Sequence, residues 1–115
     1  MNRDYVPDNW AIVEVHDAKN DKTHWRLAAG WAGGYTQGRS WKINSGIASY
    51  TKDEDGYYVF VGVSNNVYYC HEQQLGLDGY TAGIVESYDT QMKEASVGYM
   101  KVIPLEDFID KFSKV

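Results

Sequence analysis

Short runs of β-branched and aromatic residues alternate with clusters of Gly, Asn, Asp and Ser through the first 71 positions of the chain. Runs of this kind are typical of β-strands, and the clusters between them are typical of turns. The turn over 53–56 ends in Asp-Gly, a strong hairpin signal because glycine adopts the positive φ that a tight turn needs. The pattern predicts five or six strands in meander order, over residues 10–16, 23–31, 40–47, 48–52, 57–63 and 67–71.

The segment over 81–96 fits two kinds of element. Four of its apolar residues follow helical spacing: Ile84, Val85, Tyr88 and Met92. Gly83 and the β-branched residues favour a strand instead. We expect a strand from Thr81 to Tyr88 after a loop over 72–80, and a helix over 81–96 remains the alternative.

The end of the chain predicts a strand over 97–103 and then an amphipathic helix over 104–114. Pro104 is a favoured residue for the first turn of a helix. Apolar residues then recur at positions i, i+3, i+4 and i+7, namely Leu105, Phe108, Ile109 and Phe112. Acidic residues near the start and lysines near the end suit the helix dipole. This helix is expected to cover an apolar face of the sheet.

The length and the aromatic content together indicate one thin, sheet-based domain. A chain of 115 residues is in the usual range for a single core. Aromatic residues make up 15% of it, mostly Tyr and Trp, which suit half-buried positions in sheets. We predict a mainly β or α+β fold, a single small twisted antiparallel sheet or partly open barrel with a C-terminal helix. Residues 1–8 form an N-terminal arm, 9–103 the β-rich body and 104–114 the helix.

The charge balance and the single cysteine limit the class of partner and the compartment. The 11 basic and 16 acidic residues give a net charge of −5, which disfavours nonspecific binding to nucleic acid. Cys70 has no second cysteine with which to form a disulfide, and no stretch has the apolar character of a signal peptide or a membrane span. We therefore expect a cytoplasmic protein that does not contact a membrane.

The stretch GWAGGYTQGRSWKINSGI, Gly30 to Ile47, combines five glycines with two tryptophans. Strand alternation predicts that Trp25, Trp31 and Trp41 point into the core, while the glycines allow the chain to bend. Loops on a rigid scaffold are also where binding residues concentrate. The candidate contact residues around this glycine-rich loop are Tyr35, Gln37, Arg39 and Lys42.

This stretch, together with DGYYVFVGVSNNVYYCH and LGLDGY further on, resembles small uncharacterised accessory proteins of large tailed bacteriophages. The resemblance covers roughly the central half of the chain. It is carried by Trp31, Gly33, Gly34, Ser40, Trp41, Asn44 to Ile47, Tyr68 and Cys70. It implies a phage accessory protein that acts in the cytoplasm of the host. That family has no established activity, so the resemblance implies no catalytic residue.

Local motifs for catalysis or metal binding are weak. Cys70 and His71 are adjacent in a predicted strand, so their side chains point to opposite faces and are poorly placed to act as nucleophile and base. The three histidines lack the spacing of a metal site. The acidic run Asp53 to Asp55 lacks the spacing of a calcium loop and indicates a solvated turn. We expect no catalytic residue, no metal and no cofactor.

These observations favour a non-enzymatic accessory domain that binds a host or phage protein. Its predicted contact residues are Tyr35, Gln37, Arg39 and Lys42, with Tyr57 and Tyr69 as outward-facing aromatics. One alternative is a small enzyme or binder acting on a nucleotide or single-stranded nucleic acid, and another is a structural component of the virion. Tyr-rich edge strands also leave a homodimer open.

Overall fold

The computed structural model describes residues 4–33 and 38–114, and these form eight strands and two α-helices. A 3₁₀ turn at Glu72–Gln74 follows the seventh strand. In chain order the elements are β1 (Asp4–Tyr5), β2 (Asn9–Asp17), β3 (Lys22–Trp31), β4 (Ser40–Ile43), β5 (Ile47–Lys52), β6 (Tyr57–Gly62), β7 (Val67–His71), α1 (Gly79–Glu94), β8 (Gly98–Ile103) and α2 (Leu105–Phe112).

The strands form two four-stranded sheets, which we call sheet I and sheet II. Sheet I has the strand order β4-β3-β2-β8, and sheet II has the order β1-β7-β6-β5. Every neighbouring pair is antiparallel except β1 and β7, which run parallel. The predicted β-rich class with a C-terminal helix is confirmed, with the strands shared between two sheets that do not close into a barrel.

The chain passes from sheet I to sheet II at a bend over 44–46. The side-chain oxygen of Asn44 accepts a hydrogen bond from the backbone N–H of Leu27 at 2.8 Å. Its amide nitrogen donates to the carbonyl oxygen of Gly46 at 3.1 Å. Gly46 has a φ of +151°, a conformation that side-chain-bearing residues rarely adopt. Because Asn44 is buried, these bonds hold the bend from inside the molecule.

The predicted strand from Thr81 to Tyr88 is wrong, because this segment lies within helix α1. Asp78 begins the helix as its N-cap, and its carboxylate accepts a hydrogen bond from the backbone N–H of Thr81 at 2.8 Å. Val85 is buried and packs against one face of sheet I. As a helix, this segment covers an apolar face of sheet I. Local sequence preferences do not reveal that contact.

Sheet I carries an apolar cluster on each of its two faces, instead of the single core expected from chain length. One cluster lies between the two sheets and α2, and it includes Trp10, Ile12, Leu27, Phe60, Tyr68 and Phe108. The other lies between sheet I and α1, and it includes Val13, Val15, Ala28, Val85 and Met100. The layers therefore run in the order α1, sheet I, sheet II, with α2 filling one end of the space between the sheets.

The tryptophans predicted to be core residues occupy different positions. Trp25 is buried, and Trp31 is half-buried against the cluster between the sheets. Trp41 lies on the other face of sheet I, half-buried, with its ring 5.9 Å from the ring of Tyr88. The two faces follow from register, because Trp41 pairs with Gly30, whose neighbours Ala29 and Trp31 point the opposite way.

Helix α2 confirms the predicted amphipathic helix. Phe108 is fully buried and Leu105 is buried, while Ile109 and Phe112 pack at the margin of the same cluster. Burial of a phenylalanine side chain such as Phe108 contributes about 1.5 to 3 kcal/mol. Among the described residues, neither helix has the length and apolar character needed to span a lipid bilayer.

Candidate functional site

Within the part of the chain that the structure describes, no layer covers the outward side of sheet II, which we call the open face. Alternation along β6 and β7 places Phe60, Tyr68 and Cys70 inside the molecule. The residues between them point outward and define the open face: Tyr57, Val59, Val61, Val67 and Tyr69. Neither apolar cluster includes these five, and both helices pack elsewhere.

The open face is uncharged along its centre and each of its side chains is half-buried. Val59 on β6 lies opposite Tyr69 on β7, and Val61 lies opposite Val67. The ring of Tyr57 meets the ring of His71 edge-on, with the centroids 4.8 Å apart. Neighbouring strands thus bring valine and tyrosine side chains into one continuous patch, as cross-strand pairing requires.

The predicted contact residues that the structure describes make different contacts. Tyr57 and Tyr69 share the open face, whereas Tyr35 and Gln37 lie outside the described residues. Arg39 sits just before β4 and donates a hydrogen bond from Nη1 to the Asp78 carboxylate at 2.9 Å. Since Asp78 is the N-cap of α1, Arg39 links the end of the glycine-rich loop to that helix.

The remaining predicted contact residue, Lys42, lines a polar cleft of about 230 Å³ between the two sheets. Its ammonium lies over the ring of Tyr5, 5.4 Å from the centroid. Across the cleft, the hydroxyl oxygens of Ser45 and Ser64 are 2.9 Å apart and share a hydrogen bond. The cleft wall also includes Tyr68, whose buried hydroxyl has no hydrogen-bond partner among the described residues. Burial raises the pKa of Tyr68 to about 12, so this hydroxyl stays protonated at neutral pH.

Cys70 and His71 point to opposite sides of β7, as alternation predicts. Cys70 is fully buried, and burial raises the pKa of its thiol far above the ordinary value. Nε2 of His71 lies 3.0 Å from the carbonyl oxygen of Asp55, and it must be the donor because a carbonyl oxygen can only accept. Nδ1 of the same ring accepts a hydrogen bond from the backbone N–H of Gln73 at 3.1 Å. Both ring nitrogens are therefore committed to turns, and the pair cannot act together as nucleophile and base.

Metal ligands do not converge in the part of the chain that the structure describes. No group of three or more His, Cys, Asp or Glu side chains there is placed to hold an ion. His16 lies beside Thr23, with 3.0 Å between Nδ1 and the hydroxyl oxygen, and His24 lies beside Arg26. These two histidines are engaged within their own hairpin.

Glu14, a carboxylate that is only 4% exposed, is not among the residues predicted from the sequence. It accepts hydrogen bonds from Nζ of Lys111 at 3.0 Å and from the hydroxyl of Tyr99 at 2.9 Å, and Nζ of Lys101 lies 3.7 Å away. Burial acts to raise the pKa of Glu14, but the bonds from Lys111 and Tyr99 outweigh it and hold this pKa below the ordinary value.

A signal for Glu14 was present in the sequence. The strand WAIVEVH has one charged residue in an otherwise apolar run, at a position that alternation places on the same face as Trp10 and Ile12. A carboxylate on a buried face needs compensating partners. Its partners come from β8 and α2, so Glu14 joins three elements of the fold.

Comparison of the chain with protein-family models, curated proteins and solved structures found no match. Function therefore has to be argued from the chemistry of the surfaces. The open face holds two of the predicted contact residues, Tyr57 and Tyr69, within one patch. Arg39 instead forms an ion pair with the N-cap residue of α1, and Lys42 lines a separate cleft.

Proposed function

We propose that this protein is a non-enzymatic binding domain that recognises a partner protein through the open face of sheet II. The observation that supports this proposal is the layer order of the fold. Sheet I is covered by α1 on one side and by sheet II on the other, whereas the elements of residues 4–33 and 38–114 cover sheet II on its inner side only. The outward residues of β6 and β7 are nevertheless valine and tyrosine, apart from His71 at the end of β7, and none of them is Asp, Glu, Lys or Arg.

Composition and size both suit a protein partner. Tyrosine is enriched in protein interfaces, and the centre of an interface is depleted in charge. The open face spans two strands about 4.8 Å apart and about six residues long, so it measures roughly 10 by 20 Å. That area is about a quarter of the roughly 800 Å² that each partner buries in a standard interface. We therefore propose a transient complex of moderate affinity.

The resemblance to bacteriophage accessory proteins supports a more specific version of this proposal. In that version the chain is encoded by a phage, acts in the cytoplasm of the infected host, and binds a host or phage protein. The net charge of −5 favours a partner whose docking surface is neutral or basic.

The test compares variants in an affinity capture from host and infected-cell lysates. Wild-type protein, Tyr57→Ala, Tyr69→Ala and the control Tyr80→Ala are each immobilised at equal density. Tyr80 is 42% exposed and lies on α1, which packs on sheet I and not on the open face of sheet II. We expect one partner to be retained by wild type and Tyr80→Ala, and to be lost from the two open-face variants. Cross-linking of the captured complex should then map to β6 and β7.

Other outcomes would reject the proposal. Equal retention of every captured protein by Tyr69→Ala and wild type would show that the open face is not the contact surface. A concentration-dependent dimer in light scattering that Tyr69→Ala abolishes would assign the face to a second copy of the chain. Detection of the protein in purified particles by mass spectrometry would instead favour a structural role in the virion.

A further inference from the structure

A second region with the character of a binding site lies between α1 and sheet I. It is a groove of about 250 Å³ under the second half of the helix. Trp41 and Tyr88 form its aromatic wall, with their rings meeting edge-on at 5.9 Å. Met92 from α1 and Met100 from β8 add two flexible thioether side chains. Methionine packs against varied apolar shapes, so these walls suit a small hydrophobic body.

One cation, Arg26, lines the same groove. Arg26 is half-buried on β3, and its Nε donates a hydrogen bond to Nε2 of His24 at 2.9 Å. This bond requires His24 to be neutral, and burial together with the charge of Arg26 lowers the pKa of His24. The neighbouring ring therefore fixes the orientation of the guanidinium without neutralising its charge.

Arg26 is a half-buried charge that has no acidic partner among the described residues. Among the described residues, no carboxylate oxygen lies within 4.0 Å of its guanidinium, although the chain has 16 acidic residues against 11 basic ones. By contrast, Glu14 has two lysines beside it, and Asp89 has Lys93. A half-buried guanidinium with free N–H groups beside an apolar groove is a ready partner for an anion.

We propose that this groove binds a small amphipathic anion, with its acidic head on Arg26 and its apolar body against Trp41, Tyr88 and the two methionines. A planar guanidinium makes paired hydrogen bonds to a carboxylate or to a phosphate, so either head group satisfies the chemistry. The combination of mostly apolar walls and one oriented polar group is the usual composition of a small-molecule site. The groove and the open face lie on opposite sides of the layered fold, so this proposal is independent of the proposed protein partner.

The test uses two fluorescent probes that differ mainly in one charge. Anilinonaphthalene sulfonate has an aromatic body and an anionic head, whereas phenylnaphthylamine has a similar body and no charge. We expect the anionic probe to bind wild type with a fluorescence increase and to bind Arg26→Gln at least about tenfold more weakly, since bonds to a charged group are lost. The uncharged probe should bind weakly to both proteins. Arg39→Gln, which removes the arginine paired with the N-cap residue Asp78, serves as the matched control and should bind the anionic probe as wild type does.

Competition separates the two possible head groups. Octanoate, octyl phosphate and octanol are each titrated against the bound anionic probe. Displacement by octanoate alone identifies a carboxylate ligand, and displacement by octyl phosphate alone identifies a phosphate ligand. The groove proposal requires octanol to displace the probe least of the three.

The proposal is overturned if Arg26→Gln binds the anionic probe as tightly as wild type, or if octanol competes as well as the two anions. Circular dichroism checks that Arg26→Gln is folded. If Arg26→Gln does not fold, Tyr88→Ala tests the groove instead, because Tyr88 is 40% exposed and its loss should leave the fold intact. That variant must then lose affinity for the anionic probe, while Tyr69→Ala on the open face must retain it.

Discussion

Tyr68 shows how a single buried atom can oppose folding. Its hydroxyl is fully buried and, among the described residues, has no hydrogen-bond partner. A buried polar group that has lost its water without gaining a partner costs about 1 to 3 kcal/mol. The ring itself contributes, because it stacks on Tyr5 with the centroids 4.9 Å apart. Ring and hydroxyl therefore act in opposite directions on stability.

Replacing Tyr68 with Phe should raise the free energy of unfolding by about 1 kcal/mol, since it removes the unpaired hydroxyl and keeps the stacked ring. Tyr99→Phe is the matched control, because the hydroxyl of Tyr99 donates to Glu14 at 2.9 Å and its loss should destabilise the fold. Urea unfolding followed by fluorescence measures both changes. A loss of stability in Tyr68→Phe as large as that in Tyr99→Phe would mean that the Tyr68 hydroxyl does have a partner.

Cys70 should be inert in the folded protein. The thiolate is the reactive form of cysteine, and burial raises the pKa of this thiol far above the ordinary value. We expect no labelling by Ellman's reagent at pH 8 under native conditions and complete labelling in guanidinium chloride. Stoichiometric labelling of the native protein within minutes would contradict the buried position of Cys70.

At the scale of elements, α1 is the part of the fold for which the sequence pattern led to a wrong prediction, a strand in place of a helix. The helix buries only Thr81 and Val85, so its apolar stripe is weak. It starts at the pair Asp78-Gly79, which resembles a turn, but Asp78 is the helix N-cap and Gly79 is the first helical residue. By contrast, α2 and the β5-β6-β7 meander were predicted because each has a strong local signal. This segment is a helix because it packs against sheet I, and such long-range packing cannot be read from the local sequence.

Gly83 provides a test of the assignment of α1 as a helix. Gly83 is exposed within α1, and a Cβ there would meet no atom within 4 Å. Gly83→Ala should therefore raise the free energy of unfolding by about 0.5 to 1 kcal/mol, because alanine loses less backbone entropy in a helix. An unchanged or lower stability would count against a helix at this position.

Gly98 begins β8 and should show the opposite response. Its φ is +144°, and an added Cβ would overlap the carbonyl oxygen of His16 in the neighbouring strand. Gly98→Ala should lower the free energy of unfolding by about 3 kcal/mol, since the strain cannot be relieved by moving a side chain. Thermal unfolding of the two alanine variants beside wild type measures both effects. A Gly98→Ala variant as stable as wild type would contradict the close strand pairing at this end of sheet I.

For the whole molecule, the sequence predicted which segments form strands better than how they associate. Alternation and turn residues locate β2, β3 and β5 to β7, but the division into two sheets depends on Asn44, whose side chain bonds to Leu27 and Gly46 from inside the bend. The candidate sites show the same limit. Tyr57 and Tyr69 could be predicted to point outward, whereas the groove at Arg26 needs α1 to be placed over sheet I. Long-range contacts of this kind leave no periodic pattern in the sequence.

Glu14 joins the two ends of the chain across the fold, because β2 meets β8 and α2 at its carboxylate. Its pKa is lower in the folded protein than its ordinary value of 4.5, although burial alone would raise it. A group whose pKa is depressed by folding stabilises the protein above the unfolded-state pKa. That contribution disappears as the pH falls through the folded-state pKa, so the loss begins near pH 4.5 and continues below it.

Glu14→Gln should therefore lower the free energy of unfolding by about 1 to 3 kcal/mol at pH 7, since bonds to a charged group are weakened. As the pH falls below 4.5 the difference from wild type should shrink, because Glu14 becomes protonated first in the unfolded state and, at lower pH, in the folded protein as well. Asp110→Asn is the control, as it removes an exposed ion pair to Lys114 and should change stability by less than about 1 kcal/mol at pH 7. Urea unfolding at pH 7, 5 and 3 measures these differences. A gap between wild type and Glu14→Gln that stays constant over this range would show that the carboxylate charge does not hold α2 and β8 to β2.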